Sequence, residues 1–163
     1  MKRWSAMNKL TENNSSRFRL SSAVLVLIIT GFALGRMHAG DTADPRPVAV
    51  VAMEKWLHEI DQGQFDQSWK EASDSFQKAV TADKWTAALN SARTRLGKCK
   101  SRTLASSMHQ TEVPSPTGPQ RGDFVVAQFD ASFENLAYAV ETVCFEKGPD
   151  GTWKASGYYV KPK

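Results

Sequence analysis

Apolar positions follow three periods along this chain, and each period predicts a different element. From Ala23 to Leu34 they run almost without a break. From Ala49 to Leu96 they recur at three- and four-residue spacing, which lays one apolar stripe along a helix. Ala49, Ala52, Met53, Trp56, Leu57 and Ile60 form the first stripe, with Pro47 suited to its first turn and Gly63 to its C-terminal end. Phe65, Trp69, Ala72 and Phe76 continue the pattern, with Ser73 placed to start a new helix as an N-cap. Thr81 caps a further helix that turns Trp85, Ala88, Leu89, Ala92 and Leu96 inward and ends at Gly97. Beyond Lys98 the period falls to two, the spacing of strands. Four strands are expected, near 99–109, 123–133, 136–146 and 152–161. The turn-rich stretch 113–122 joins the first two, and FENL (133–136) and GPDG (148–151) close two hairpins. Helices first and a meander second predict an α+β fold, with N-terminal helices packed on one face of a curved four-stranded antiparallel sheet.

The continuous apolar run lies ahead of that domain and reads as one N-terminal hydrophobic signal or anchor helix. Five basic side chains and the single acid Glu12 precede it and account for the whole net charge of +4. Residues 1–20 are then a basic, disordered cytoplasmic tail, 21–37 the signal or anchor, 38–47 a polar linker and 48–163 the globular domain. Leu20 to Met37 approaches the ~20 residues that a spanning helix needs, if Arg19 and Arg36 snorkel to the headgroups. The long basic stretch ahead of the run favours an uncleaved anchor. Cleavage after the small-x-small sequence Ala33-Leu34-Gly35 would instead release a secreted domain, and a merely buried helix is the third reading. Positive charge before the run and neutrality after it put the C-terminal domain outside the membrane as a single-pass protein, its partner there the membrane itself. With its excess charge confined to the tail, the domain shows no nucleic-acid signature.

Cys99 and Cys144 invite a disulfide in an oxidising compartment. Counting from the FENL turn places them about seven residues out of register, or ~23 Å at the usual strand rise, so no bond within one chain is expected. His38, His58 and His109 are isolated and show no zinc spacing. The sequence has no nucleophile elbow, no phosphate loop and no dinucleotide fingerprint, so no metal or cofactor is expected. Arg121-Gly122-Asp123 spells an adhesion tripeptide, but it sits where a turn explains it.

Scattered residues in a distinctive order carry a resemblance: Trp56-Leu57 with Asp61 and Gly63, Ser68-Trp69, Ala72-Ser73 with Phe76, and Trp85. Leu96-Gly97, Ser101-Arg102, Glu141 with Val143, and Trp153 leading to Gly157-Tyr158-Tyr159-Val160 continue it. In these the chain resembles the bacterial family known as domain of unknown function 4019, over about residues 48–161. Its element order is similar to the cone-shaped nuclear-transport-factor-2-like and cystatin-like superfamily. The resemblance implies an exported or envelope domain and supplies no activity.

Two groups of side chains merit weighing as sites. Lys98, Lys100 and Arg102, in a basic stretch with Lys100 and Arg102 expected on one strand face, would suit phosphate, a lipid headgroup or an anionic polymer. A solvated, charge-protected edge strand is the plainer reading. Glu141 alternates with Ala137, Ala139, Val143 and Phe145, and the turn register places Gln128 near it with Asp130 two positions along. In an apolar pocket such an acid would have a raised pKa and could move a proton. On a solvated face, or hydrogen-bonded to Gln128, it would be structural. Three functions stay open: a non-enzymatic envelope module binding a small ligand or an envelope protein, a small isomerase or hydrolase using Glu141, and a structural domain that associates, as a homodimer for instance, through its sheet face.

Overall fold

The computed structural model describes residues 44–115 and 118–163. The tail, the apolar run 21–37 and most of the linker lie outside the described residues. Among the described residues no helix is long and apolar enough to cross a membrane.

Among the described residues four helices precede four strands: α1 (Arg46–Asp61), α2 (Phe65–Lys70), α3 (Asp74–Ala79), α4 (Ala82–Leu96), β1 (Cys99–Val113), β2 (Gln120–Phe133), β3 (Leu136–Lys147) and β4 (Trp153–Pro162). The strands form one antiparallel sheet in the order β1-β2-β3-β4. The helices begin and end where the sequence signals them. Proline starts α1, Ser73 accepts the Phe76 amide to start α3, and Thr81 accepts the Lys84 amide to start α4.

One face of the sheet carries the core. Val125, Ala127 and Phe129 of β2, Val143 and Phe145 of β3, and Ala155 and Tyr158 of β4 meet the apolar stripes of the helices. Trp56 of α1 stacks on Trp85 of α4 with centroids 5.8 Å apart, and Phe76 meets the edge of Trp85 at 5.1 Å. Both indoles need acceptors, and Ser68 supplies them. Its carbonyl accepts from Trp56 Nε1 at 2.8 Å and its hydroxyl from Trp85 Nε1 at 3.0 Å. Ser68 is thus buried for a reason: it satisfies two indole donors that would otherwise cost stability.

The pairing of β2 and β3 differs from the expected register by one residue. Phe133 pairs with Leu136 at the turn, but Ala131 pairs with Ala139, so Ala137 and Tyr138 together oppose Ser132. This bulge slides β3 by one position along β2. Since side chains alternate, a one-residue slip changes which residues share a face. Gln128 therefore lies opposite Thr142, and Phe129 lies opposite Glu141. Bulges also occur along β1, where Lys100 and Ala105 are extra residues, and on β4 at Ser156.

Cys99 and Cys144 are both free, as expected from strand order. Cys99 pairs with Phe133 beside the β2–β3 turn, whereas Cys144 lies opposite Val126, in a small cluster with Val113 and Phe124.

Candidate functional site

Glu141 has no exposed surface, yet it sits in an ion cluster rather than an open pocket. Arg102 Nε donates to its Oε2 at 2.5 Å, and the Tyr158 hydroxyl donates to its Oε1 at 2.6 Å. The other edge of Arg102 reaches Asp61, the last residue of α1, with Nη1 2.7 Å from Oδ2 and Nη2 3.2 Å from Oδ1. Arg93 of α4 completes the cluster, with Nη1 3.0 Å from Asp61 Oδ1 and Nη2 3.8 Å from Glu141 Oε1. Its guanidinium also lies over the Phe133 ring, 5.2 Å from the centroid. Two arginines and two carboxylates balance in charge, which is what permits them to be buried together.

The titration of these groups follows from that enclosure. Burial works against the charge on Arg102, but the hydrogen bonds to Asp61 and Glu141 outweigh it and raise its pKa above the usual arginine range. Burial, reinforced by the negative charge of Glu141, pushes the Tyr158 phenol well above its ordinary value. Both oxygens of Glu141 are hydrogen-bonded within the cluster and the residue has no exposed surface, so it offers a substrate no accessible oxygen as a general base would.

Gln128 and Asp130 are exposed on the outer face and do not join Glu141, which corrects the expected grouping. The bulge opposite Ser132 is the reason. Asp130 is instead paired with Lys163 at 2.8 Å. The expected basic face also separates. Lys100 is an exposed bulge residue, Arg102 turns inward to the cluster, and Lys98 stands in the turn ahead of β1. The outer face bears Thr103, Ser106, Gln128, Asp130, Thr142 and Lys161, a largely polar set, with Met108, Tyr138 and Tyr159 as its exposed apolar members.

A cleft of about 360 Å³ opens beside the ion cluster. One wall is the end of α1 and its following turn, with Ile60, Asp61, Gln62, Gly63 and Phe65. The opposite wall is Arg93, Gly97, Lys98 and Cys99, and Glu134 of the β2–β3 turn closes one end. Backbone bonds from Glu134 to Lys98 (3.0 Å) and from Asn135 to Leu96 (2.9 Å) clamp that turn onto the α4–β1 connection. Glu134 Oε2 adds a bond from the Lys98 amide at 2.9 Å. Gly97 permits this approach: its φ is +74°, and a Cβ there would fall 2.7 Å from the Glu134 side chain. Cys99 lines the cleft with its thiol pKa raised by burial, so it stays protonated near neutrality.

Asp61 is not among the site candidates that the sequence offers, and Arg93 enters there only as one of the five basic residues of 93–102, although two signals mark them. An acid in the last turn of a helix opposes the macrodipole and needs a cationic partner. Arg93 follows Leu89 by four residues and so falls on the buried stripe of α4.

A second buried acid lies apart from this site. Glu59 of α1 contacts Lys55 at 3.5 Å, its Oε2 has no hydrogen-bond partner, and burial and then the charge of Glu71 raise its pKa.

Among the described residues no group of histidine, cysteine and carboxylate side chains is placed to hold a metal ion. No curated protein matches the sequence. The profile of the protein family of unknown function DUF4019 matches residues 52–158, from within α1 to Tyr158, and the chain belongs to that family.

Proposed function

We propose that this is a non-enzymatic binding module of the bacterial envelope, and that its ligand enters the cleft between the α1–α2 turn and the α4–β1 turn. The cleft carries this reading: about 360 Å³ is within the range of small-molecule sites, and its walls combine apolar surface with a few converging polar groups. The engagement of both Glu141 oxygens supports binding over acid–base turnover. The largely polar outer face of the sheet speaks against association through it. Helices followed by a coiled four-stranded sheet also suit the cone-shaped nuclear-transport-factor-2-like arrangement, whose members commonly use the space between helix and sheet.

Thermal shift of the full-length protein against a chemically diverse small-molecule set tests the binding role. Stabilising compounds whose effect disappears in Cys99→Trp, which fills the cleft, support it. Stabilisation indifferent to that substitution places the site elsewhere and refutes the reading.

The apolar run 21–37 is proposed to hold the domain at the inner membrane with its C-terminus outside. Fractionation of a C-terminally tagged form is expected to give full-length protein in membranes, with the tag open to external protease. A soluble product shortened by about 35 residues identifies a cleaved signal instead.

A further inference from the structure

Hydrogen-bonding capacity around the cleft is lopsided. Asp61 accepts two bonds from Arg102, Glu141 accepts from Arg102 and Tyr158, and Glu134 accepts from the Lys98 amide. Each of these carboxylates is engaged. The donors are not: neither terminal nitrogen of Arg93 makes an aligned hydrogen bond, although both are buried. Arg93 is held by charge and by the Phe133 ring alone. Lys98, on the same wall, is exposed, and its ammonium makes no ion pair among the described residues. Buried donors without acceptors are rare in native proteins and commonly mark the place of a missing partner. Because the four buried charges cancel, this surplus of N–H groups, rather than net charge, decides what the cleft accepts.

We infer that the cleft takes a small organic carboxylate, its anionic end drawn to Arg93 and Lys98 and its apolar body lying against Ile60, Phe65 and the Cys99 side chain. The inference rests on the binding role proposed above and specifies the ligand class for the same site. Arg93, whose terminal nitrogens are buried, attracts the anion by its charge from behind the cleft wall, while exposed Lys98 meets it directly. Gly97 presents no side chain to the cleft, so Lys98 is the exposed cation among its lining residues, facing the single exposed acid Glu134.

Cys99 lines this cleft and provides a local reporter, with buried Cys144 as an internal control. The full-length protein is alkylated with N-ethylmaleimide in the presence of phenylacetate, its neutral isostere phenylacetamide, or phenethylamine. Phenylacetate is expected to slow alkylation of Cys99, with a dissociation constant on the order of a millimolar for so small a ligand. Phenylacetamide is expected to protect far less and phenethylamine not at all. Lys98→Ala, a rim change that leaves the core intact, should weaken phenylacetate about tenfold, and Arg93→Gln at least as much. Equal protection by acid and amide, or preference for the amine, overturns the carboxylate assignment and leaves a cleft that binds something else. Protection by none of the three overturns the assignment together with the binding role on which it rests.

Discussion

Arg102 Nε lies 2.5 Å from Glu141 Oε2, joining an edge strand to a central strand beneath the helices. The same guanidinium holds Asp61 at the end of α1, so one side chain ties helix to sheet. Removing one member of a buried pair leaves the other charge unsolvated, at a cost of about 3–5 kcal/mol. Arg102→Met is expected to lose stability on that scale in urea unfolding. Arg102→Met combined with Glu141→Gln should recover most of it, because the amide oxygen still accepts from the Tyr158 hydroxyl and the remaining pair, Arg93 and Asp61, balances at 3.0 Å. A double variant as unstable as the single one would show that the cluster acts through packing rather than charge.

Tyr158 should resist alkaline titration. Its phenol is held neutral by burial and by Glu141, whereas Tyr138 and Tyr159 are exposed. Ultraviolet titration is expected to show the Tyr158 phenol ionising only on unfolding. The sign for stability follows. The unfolded phenol ionises first, so stability falls as pH rises above the ordinary tyrosine value of about 10. Tyr158→Phe is expected to cost about 1.5–3 kcal/mol through loss of the bond to Glu141 and to flatten that alkaline decline.

Much of this architecture is legible in the sequence. Trp56, Trp85 and Leu89 recur at helical spacing, Ser73 and Thr81 mark helix starts, and the strands alternate, so each element announces itself locally. The candidate site is less legible, because it depends on register. The placement of Gln128 beside Glu141 assumed a hairpin without irregularity. One extra residue at Ala137–Tyr138 reverses the pairing, and no turn motif records that bulge. Lys100 does the same on β1, sending Arg102 inward. The cluster also draws Asp61, Arg93, Arg102 and Glu141 from four different elements, a convergence that no linear spacing encodes.

Ser68 offers a test of the aromatic core. Its hydroxyl accepts from Trp85 Nε1 and donates to the Phe65 carbonyl at 2.8 Å. Ser68→Ala leaves the indole N–H buried without an acceptor, at an expected cost of about 1–3 kcal/mol. Near-ultraviolet circular dichroism should change as well, since Trp85 packs against Trp56, Phe76 and Tyr158. A stability within 0.5 kcal/mol of the parent, the range of ordinary surface substitutions, would mean that water replaces the hydroxyl.

The two thiols should differ in reactivity by orders of magnitude. Cys99 is partly exposed at the cleft, whereas Cys144 is buried and its pKa is pushed up to about 11. Reaction at Cys144 requires the sheet to open. With global stabilities of 5–15 kcal/mol, labelling there should be at least about 10³-fold slower than at Cys99. Two free thiols per denatured, unreduced chain are expected, and a count of zero in a monomer would contradict the pairing of Cys99 with Phe133. The pH sense is again fixed by linkage. Above the ordinary thiol value of 9.0, the unfolded chain ionises while folded Cys144 does not, so stability falls as pH rises. Cys144→Ala removes that term. Its stability relative to the parent is therefore expected to improve between pH 8 and pH 10.5, even though the smaller side chain weakens packing against Val126 at every pH.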